Sequence, residues 1–211
     1  MKTVLAPYLV EHDIIIDARC VETSRKGPLL FRGGLSNYLK AKNDIQAWLK
    51  QDPSSWVSTL FDYYGLPENF PEMAQAKKLS DVRQRIGLLE EALARVISHP
   101  RFIPHIQLHE FESLLFCGPE ELASVLAPAN YHNSLSQIVS ILDSFYGDPE
   151  KINAHPSTAP SKRLETLFPR YDKVAYGPRI AQKIGIERLR SRCKHFGSWI
   201  NSLKCLSGSE L

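Results

Sequence analysis

The sequence predicts an α/β fold, a mostly parallel sheet flanked by helices and followed by a helical C-terminal part. Three observations carry this expectation. Residues 56–61 and 102–108 are short apolar runs with the aromatic and β-branched content of buried strands. Between them, Leu79, Val82, Ile86, Leu89, Leu93 and Val96 step by threes and fours, the stripe of one amphipathic helix over 77–98. A strand, a helix and a second strand in that order call for a crossover and hence a parallel pair.

The elements follow in order. Residues 3–10 have the pattern of the last turns of a helix, and IIIDARCV at 14–21 is β-branched enough for a strand. A loop rich in glycine (Gly27, Gly33, Gly34) precedes a helix over 35–50, supported by Leu35, Tyr38, Leu39, Ile45, Trp48 and Leu49 and ended by Pro53. Strand 56–61 leaves through Asp62-Tyr63-Tyr64-Gly65-Leu66-Pro67, where Gly65 frees the backbone and Pro67 stiffens it. Strand 102–108 runs into HEFESLLF, which is expected to turn helical and so to leave Glu110 near the carboxyl end of the strand. Helices are expected over 119–126 and 134–145. The polar, proline-bearing stretch 147–160 divides an α/β core, 1–146, from a basic helical extension, 147–211. Helices over 161–168, 177–184 and 186–203 complete the chain, the last with Ile186, Leu189, Cys193, Phe196, Ile200 and Leu203 in line.

A chain of 211 residues with 43% hydrophobic content can bury a sizeable core. No stretch approaches the roughly 18 apolar residues of a membrane helix, and MKTVLAPYLVEHD is interrupted by Pro7 and by charges too early for a secretory signal, so a cytoplasmic protein is expected, with no membrane partner. Cys20, Cys117, Cys193 and Cys205 form no CxxC pair, which points to buried free thiols and gives no sign of a zinc knuckle or a dithiol redox motif. The net charge of +3 hides an asymmetry: residues 1–150 hold 14 Lys/Arg against 19 Asp/Glu, while 151–211 hold 12 against 4. Such a segment suits an anionic partner such as nucleic acid, or simply a solvated helical surface. Walker A, HExxH and GxSxG patterns are absent, which leaves ATP hydrolysis, zinc proteolysis and serine esterase chemistry without support.

The chemistry is expected where the two apolar runs end in carboxylates, Asp62 after the first and Glu110 and Glu112 after the second. Open α/β sheets collect ligands beyond the carboxyl ends of their strands. Carboxylates that converge there repel one another unless they are protonated or share a hard cation such as Mg²⁺ or Mn²⁺. For Asp62 the alternative is a turn cap on the Gly65 loop. For Glu110 and Glu112 it is an ion pair with a basic residue of the tail such as Lys162 or Arg163; on a strand their spacing puts both on one face, whereas on a helix it splays them by about 200°. His109 is a general base, a ligand or a structural histidine. Lys162 and Arg163 open a helix after Ser161, an expected N-cap, and are placed to contact phosphate. Tyr63, Tyr64, Tyr171 and Tyr176 are candidates for stacking on bases or for ordinary packing.

FDYYGLP at 61–67, RFIPHIQLHEFESLLF at 101–116, APSKRLETLFPRYDKV at 159–174, YGPRIAQKIGIERLR at 176–190 and CKHFGSWINSL at 193–203 resemble the bacterial family catalogued as domain of unknown function 4276. These motifs cover nearly the whole chain, in order. The resemblance implies a Toprim-like (topoisomerase–primase type, Rossmannoid) core, related to nuclease domains that accompany AAA-type or ABC-type ATPases in phage defence. It implies a Mg²⁺- or Mn²⁺-dependent nuclease in which Asp62 matches the first Asp of a metal-binding pair; beside it, the residues themselves make Glu110 and Glu112 the expected further ligands, with His109 next to them and Lys162, Arg163, Lys173 and Arg179 as expected substrate-binding residues. Two departures stand out. Tyr64 occupies the place of the second Asp of an Asp-x-Asp pair, and the chain opens on MKTVLAPYL, which corresponds to the helix after the expected first strand and its Val-Glu-Gly turn. Either the true start lies upstream of Met1, or this member has lost a core strand together with its acidic ligand. The second option favours an alternative, a degenerate, non-catalytic interaction subunit that regulates its ATPase; a nucleic-acid binder without catalysis is a third reading. An unpaired sheet edge would also invite homo-oligomers.

Overall fold

The computed structural model describes residues 2–21, 24–26, 29–31, 35, 37–153 and 156–208. Packing divides the chain into one unit of Met1–Ala18 with His109–Leu211 and another of Arg19–Leu108. Residues 147–160 lie inside the first. The loop of Gly27, Gly33 and Gly34 lies outside the described residues.

Helix α1 (Lys2–Val10) takes up the predicted opening helix and buries Val4, Leu5, Tyr8 and Leu9. The strand expected over 14–21 does not form: these residues have no regular structure, and Ile15 is 91% exposed. β-branched residues favour a strand only when a neighbour completes the ladder, and no described strand pairs with this stretch. Short β1 (Ser24–Lys26) and β2 (Leu29–Phe31) pair antiparallel, with Arg25 opposite Leu30.

Helix α2 (Tyr38–Gln51) starts where Asn37 accepts from the Leu39 N–H at 2.9 Å and stops at Asp52, ahead of Pro53. After it come β3 (Val57–Ser58), β4 (Phe61–Asp62), the short α3 (Met73–Ala76), α4 (Val82–Ile97), β5 (Phe102–Ile103) and β6 (Ile106–Gln107). Asp81 caps α4 through the Gln84 N–H at 2.9 Å, so Leu79 falls outside the helix. Ile97, four residues past Leu93, closes the buried stripe in place of Val96, which is 38% exposed. The stripe joins Ile45, Leu49, Phe70, Phe102, Ile106 and Leu108 in the core of this unit.

The two apolar runs do pair in parallel, Val57 with Phe102 and Phe61 with Ile106, but in two ladders of two residues each. Pro104 has no N–H to give a continuous ladder. Thr59 bridges the gap, its hydroxyl donating to the His105 carbonyl at 3.0 Å and accepting the His105 N–H at 2.9 Å. The fold is thus mixed α/β, with a broken strand pair in place of the expected broad sheet among the described residues.

From Phe111 on, every described element is a helix or a 3₁₀ turn, including the helices expected over 119–126 and 161–168. A 3₁₀ segment, Phe111–Cys117, leads into α5 (Pro119–Leu126) and α6 (Tyr131–Asp143), and after a short turn, Pro149–Lys151, into α7 (Pro160–Leu167) and α8 (Lys173–Ile184). The single helix expected over 186–203 is two, α9 (Ile186–Arg192) and α10 (Lys194–Lys204), separated at Cys193 (φ −109°, ψ 98°). All six residues of the predicted line are nevertheless buried. No described helix is long and apolar enough to cross a membrane.

Candidate functional site

The acidic residues of HEFESLLF are sent in different directions by backbone geometry. Glu110 is extended (φ −144°, ψ 160°) and precedes the 3₁₀ segment, whereas Glu112 lies in its first turn. Its side chain is fully buried.

Glu110 Oε2 accepts the Ser161 N–H at 3.0 Å, at the start of α7. That helix begins one residue earlier than expected, with Pro160 in its first turn and no side-chain cap from Ala159. Glu110 therefore supplies from 51 residues away the acceptor at the helix start that the Ser161 hydroxyl was expected to supply locally.

Glu112 meets the start of α8. Asp172 caps that helix, accepting from Val174 and Ala175 N–H at 2.8 and 2.9 Å, and so sets Lys173 at its first position. An ammonium at a helix N-terminus opposes the helix dipole. Here it lies 3.0 Å from Glu112 Oε2. The Tyr171 hydroxyl approaches Oε1 of the same carboxylate at 3.4 Å. Gly177 allows the close approach: a Cβ there would stand 3.1 Å from the Phe111 ring. The cation that pairs with Glu112 is thus Lys173, and not Lys162 or Arg163.

Burial and the negative charges of Glu112 and Glu110 push the Tyr171 phenol far above its ordinary value of 10.0. Glu110 also contributes to raising the Lys162 ammonium, where the hydrogen bond to Glu165 is the larger cause. Glu110, Glu112, Lys162, Tyr171 and Lys173 therefore share one electrostatic neighbourhood. Tyr171 is expected to keep its proton until the fold is lost. A phenol pKa raised by folding contributes stability below pH about 10 that disappears as pH climbs toward the folded value. In an alkaline titration followed by tyrosinate absorbance, Tyr171→Phe is expected to overlay the wild type before unfolding and to lose amplitude only afterwards. A smaller change before unfolding in the variant would show that Tyr171 titrates freely.

The other predicted residues have local tasks. Lys162 Nζ pairs with Glu165 at 2.7 Å, and Arg163 Nε donates to the Thr158 carbonyl at 2.9 Å with its guanidinium 5.0 Å from the centre of the Phe145 ring. His109 is buried in a left-handed conformation (φ 62°), and its Nδ1 lies 3.3 Å from the Asn153 amide nitrogen. Arg179 is exposed on α8. Asp62, in the Arg19–Leu108 unit, ends β4 opposite Gln107.

Tyr171 also borders a cavity of about 560 Å³ lined by Leu126, Phe168, Arg170 and Tyr176 among others. The rings of Tyr171 and Tyr176 are near-parallel, with centroids 6.5 Å apart. Sequence reasoning gave these tyrosines no link to Glu112. It also passed over Glu150, a fully buried carboxylate whose two oxygens accept the His195 and Phe196 N–H at 3.1 and 3.0 Å and so cap α10. The only local sign of it is the Asp148-Pro149 turn that presents it, where Asp148 accepts the Glu150 N–H at 3.0 Å.

No curated protein and no solved structure matches the chain. A family model described as domain of unknown function 4276 matches residues 1–204, so the motifs at 61–67, 101–116, 159–174, 176–190 and 193–203 are those of a member, and the chain belongs to the DUF4276 family.

Proposed function

We propose that this protein is a Mg²⁺- or Mn²⁺-dependent nuclease subunit, with Glu110 and Glu112 as its carboxylate ligands in the His109–Leu211 segment. The supporting observation is the cluster itself: two carboxylates, a phenol held protonated and a lysine gathered at the start of the 3₁₀ segment, α7 and α8. Buried carboxylates with strongly perturbed neighbours beside a cavity are the usual mark of a reaction site. The donor set fits the ion, since carboxylate oxygens are the hard ligands that Mg²⁺ and Mn²⁺ prefer. When bound, the ion supplies Lewis acidity at a phosphoryl oxygen.

The chain's own residues do the rest. Lys173 places its ammonium 3.0 Å from Glu112, and Tyr171 keeps a hydroxyl proton available at the same side chain. Lys162, Arg163 and Arg179 belong to the basic 151–211 segment, which attracts a phosphodiester backbone. Tyr171 and Tyr176 offer ring faces to bases. A Toprim-like arrangement, a cytoplasmic setting and an AAA-type or ABC-type ATPase partner in phage defence or DNA metabolism belong to the same proposal.

The test is calorimetric titration with Mn²⁺ alongside cleavage of single- and double-stranded DNA and RNA. The wild type is expected to bind Mn²⁺ stoichiometrically and to cleave only with metal. Glu112→Gln and Glu110→Ala are expected to lose both while keeping helical circular dichroism. Asp62→Ala is a separate arm that reads the contribution of the other unit. A folded wild type that binds no Mn²⁺, or wild-type cleavage by Glu112→Gln, overturns the reading.

One observation favours a second reading, a non-catalytic subunit that regulates its ATPase. Lys173 already neutralises Glu112, and the Ser161 amide already engages Glu110, so both carboxylates have structural uses. On that reading Glu112→Gln changes stability alone, and no metal response appears in any variant.

A further inference from the structure

Cys117 and Cys193 are 76 residues apart in sequence, and neither lies in a redox motif, yet their sulfurs sit 3.1 Å from each other. Both belong to the unit that contains His109–Leu211. Cys117 closes the 3₁₀ segment that carries Glu112, and Cys193 is the hinge residue between α9 and α10. Both are buried, Cys117 at 2% exposure and Cys193 at 0%, whereas Cys20 and Cys205 are exposed.

A separation of 3.1 Å is inside ordinary sulfur–sulfur contact and about 1 Å longer than a disulfide bond. Closing it calls for a small side-chain adjustment. The Cys193 backbone is extended where α9 and α10 meet, its N–H donating to the Leu189 carbonyl at 2.9 Å and its carbonyl accepting the Gly197 N–H at 2.7 Å, so the adjustment falls to the side chains. Its thiol is raised well above the ordinary value, first by the hydrogen bond with Cys117 and then by burial, with Glu150 and Asp148 adding negative charge nearby. In the structure both are free thiols.

We propose that Cys117 and Cys193 are an oxidisable pair that a peroxide or a small-molecule disulfide converts to an intramolecular disulfide. With hydrogen peroxide, one thiol attacks as thiolate and becomes a sulfenic acid with release of water; the second thiol displaces the hydroxyl as a second water and the S–S bond forms. With a disulfide such as oxidised glutathione, two successive exchanges form the S–S bond and release two reduced thiols. The protein loses two hydrogen atoms in either case. The new bond ties the segment carrying Glu112 to the junction from which α10 begins, and it stands or falls independently of the nuclease proposal.

The test treats the full-length folded protein with hydrogen peroxide or oxidised glutathione, blocks remaining thiols with N-ethylmaleimide in denaturant, and maps peptides by mass. The expected product is a Cys117–Cys193 cross-linked peptide pair lighter by two hydrogen atoms, restored to two alkylated thiols by reductant. Closing a loop of this size is expected to raise Tm by about 10 °C, an increase absent in Cys117→Ser and Cys193→Ala. The peptide map of the wild type decides the matter even where a variant fails to fold. Alkylation of both cysteines after oxidant, or cross-links confined to Cys20 and Cys205, overturns the proposal.

Discussion

Replacing Glu150 with alanine is expected to lower the stability of the protein by about 3 kcal/mol, because it removes a buried charge-assisted cap and leaves two backbone amides orphaned. The carboxylate is fully buried and its two oxygens take the His195 and Phe196 N–H groups at 3.1 and 3.0 Å. These are second- and third-position donors of α10, which begins at Lys194 with no side-chain cap from Cys193. No local residue stands ready to replace Glu150. Negative charge at a helix N-terminus is further favoured by the helix dipole, worth up to about 2 kcal/mol in buried geometry. Glu150→Gln keeps an acceptor but loses the charge, and is expected to cost about half as much. Urea unfolding followed by tryptophan fluorescence, with Trp48 and Trp56 replaced by Phe so that Trp199 on α10 is the reporter, measures both. A loss under about 0.5 kcal/mol for Glu150→Ala would show that water or another group satisfies these amides as well.

Gly197→Ala is the second large effect. A Cβ at Gly197 would overlap the carbonyl oxygen of Arg190 and crowd its carbonyl carbon at 3.2 Å. The obstacle is backbone, so it cannot rotate away. Alanine gains about 1 kcal/mol in helix propensity over glycine. Against that stands a forced separation of α9 from α10, for which overpacking costs of about 2–4 kcal/mol are expected, leaving a net loss of 1–3 kcal/mol. Gly87→Ala serves as the opposite control: Gly87 lies inside α4 and a Cβ there meets nothing within 4 Å. It is expected to raise stability by up to about 1 kcal/mol. If both substitutions shift the urea midpoint alike, the α9–α10 approach at Gly197 is looser than the structure shows.

The contrast between these two glycines marks how far local pattern reaches. Both lie in helices, and nothing in their flanking residues separates them; only the carbonyl of Arg190, brought close by the turn at Cys193, does so. The same holds for the carboxylates. Glu110 and Glu112 stand out in the sequence because they follow an apolar strand. Their partners, the Ser161 amide and Lys173, are 51 and 61 residues further on, and are found by the packing of α7 and α8 on the 3₁₀ segment.

Local signals had clear successes and clear failures in the fold. The stop before Pro53, the apolar stripe of α4 through Ile86, Leu89 and Leu93, and the parallel pairing of the two apolar runs all rest on local breakers or on strong hydrophobic periodicity, whereas the starts of α2 and α4 fall later than expected, after Asn37 and Asp81. Residues 14–21 failed because β propensity describes how a side chain fits beside a neighbouring strand, and no described strand stands there. The strand pair is short because Pro104 withholds one N–H, which the Thr59 hydroxyl covers. Hydrophobic spacing carried straight through Cys193, since a buried stripe continues across a break between helices as readily as along one helix.

By itself, then, the sequence determined most of the helices, the parallel pairing of the two apolar runs and the acidic and basic residues from which a site is built, since periodicity, chain breakers and charge act over a few residues or one apolar face. Tertiary structure alone decided that Lys173 and Tyr171 answer Glu112, that Glu150 caps α10 and that Cys117 faces Cys193. Those contacts join residues 45 to 76 positions apart, and their formation depends on how whole helices pack.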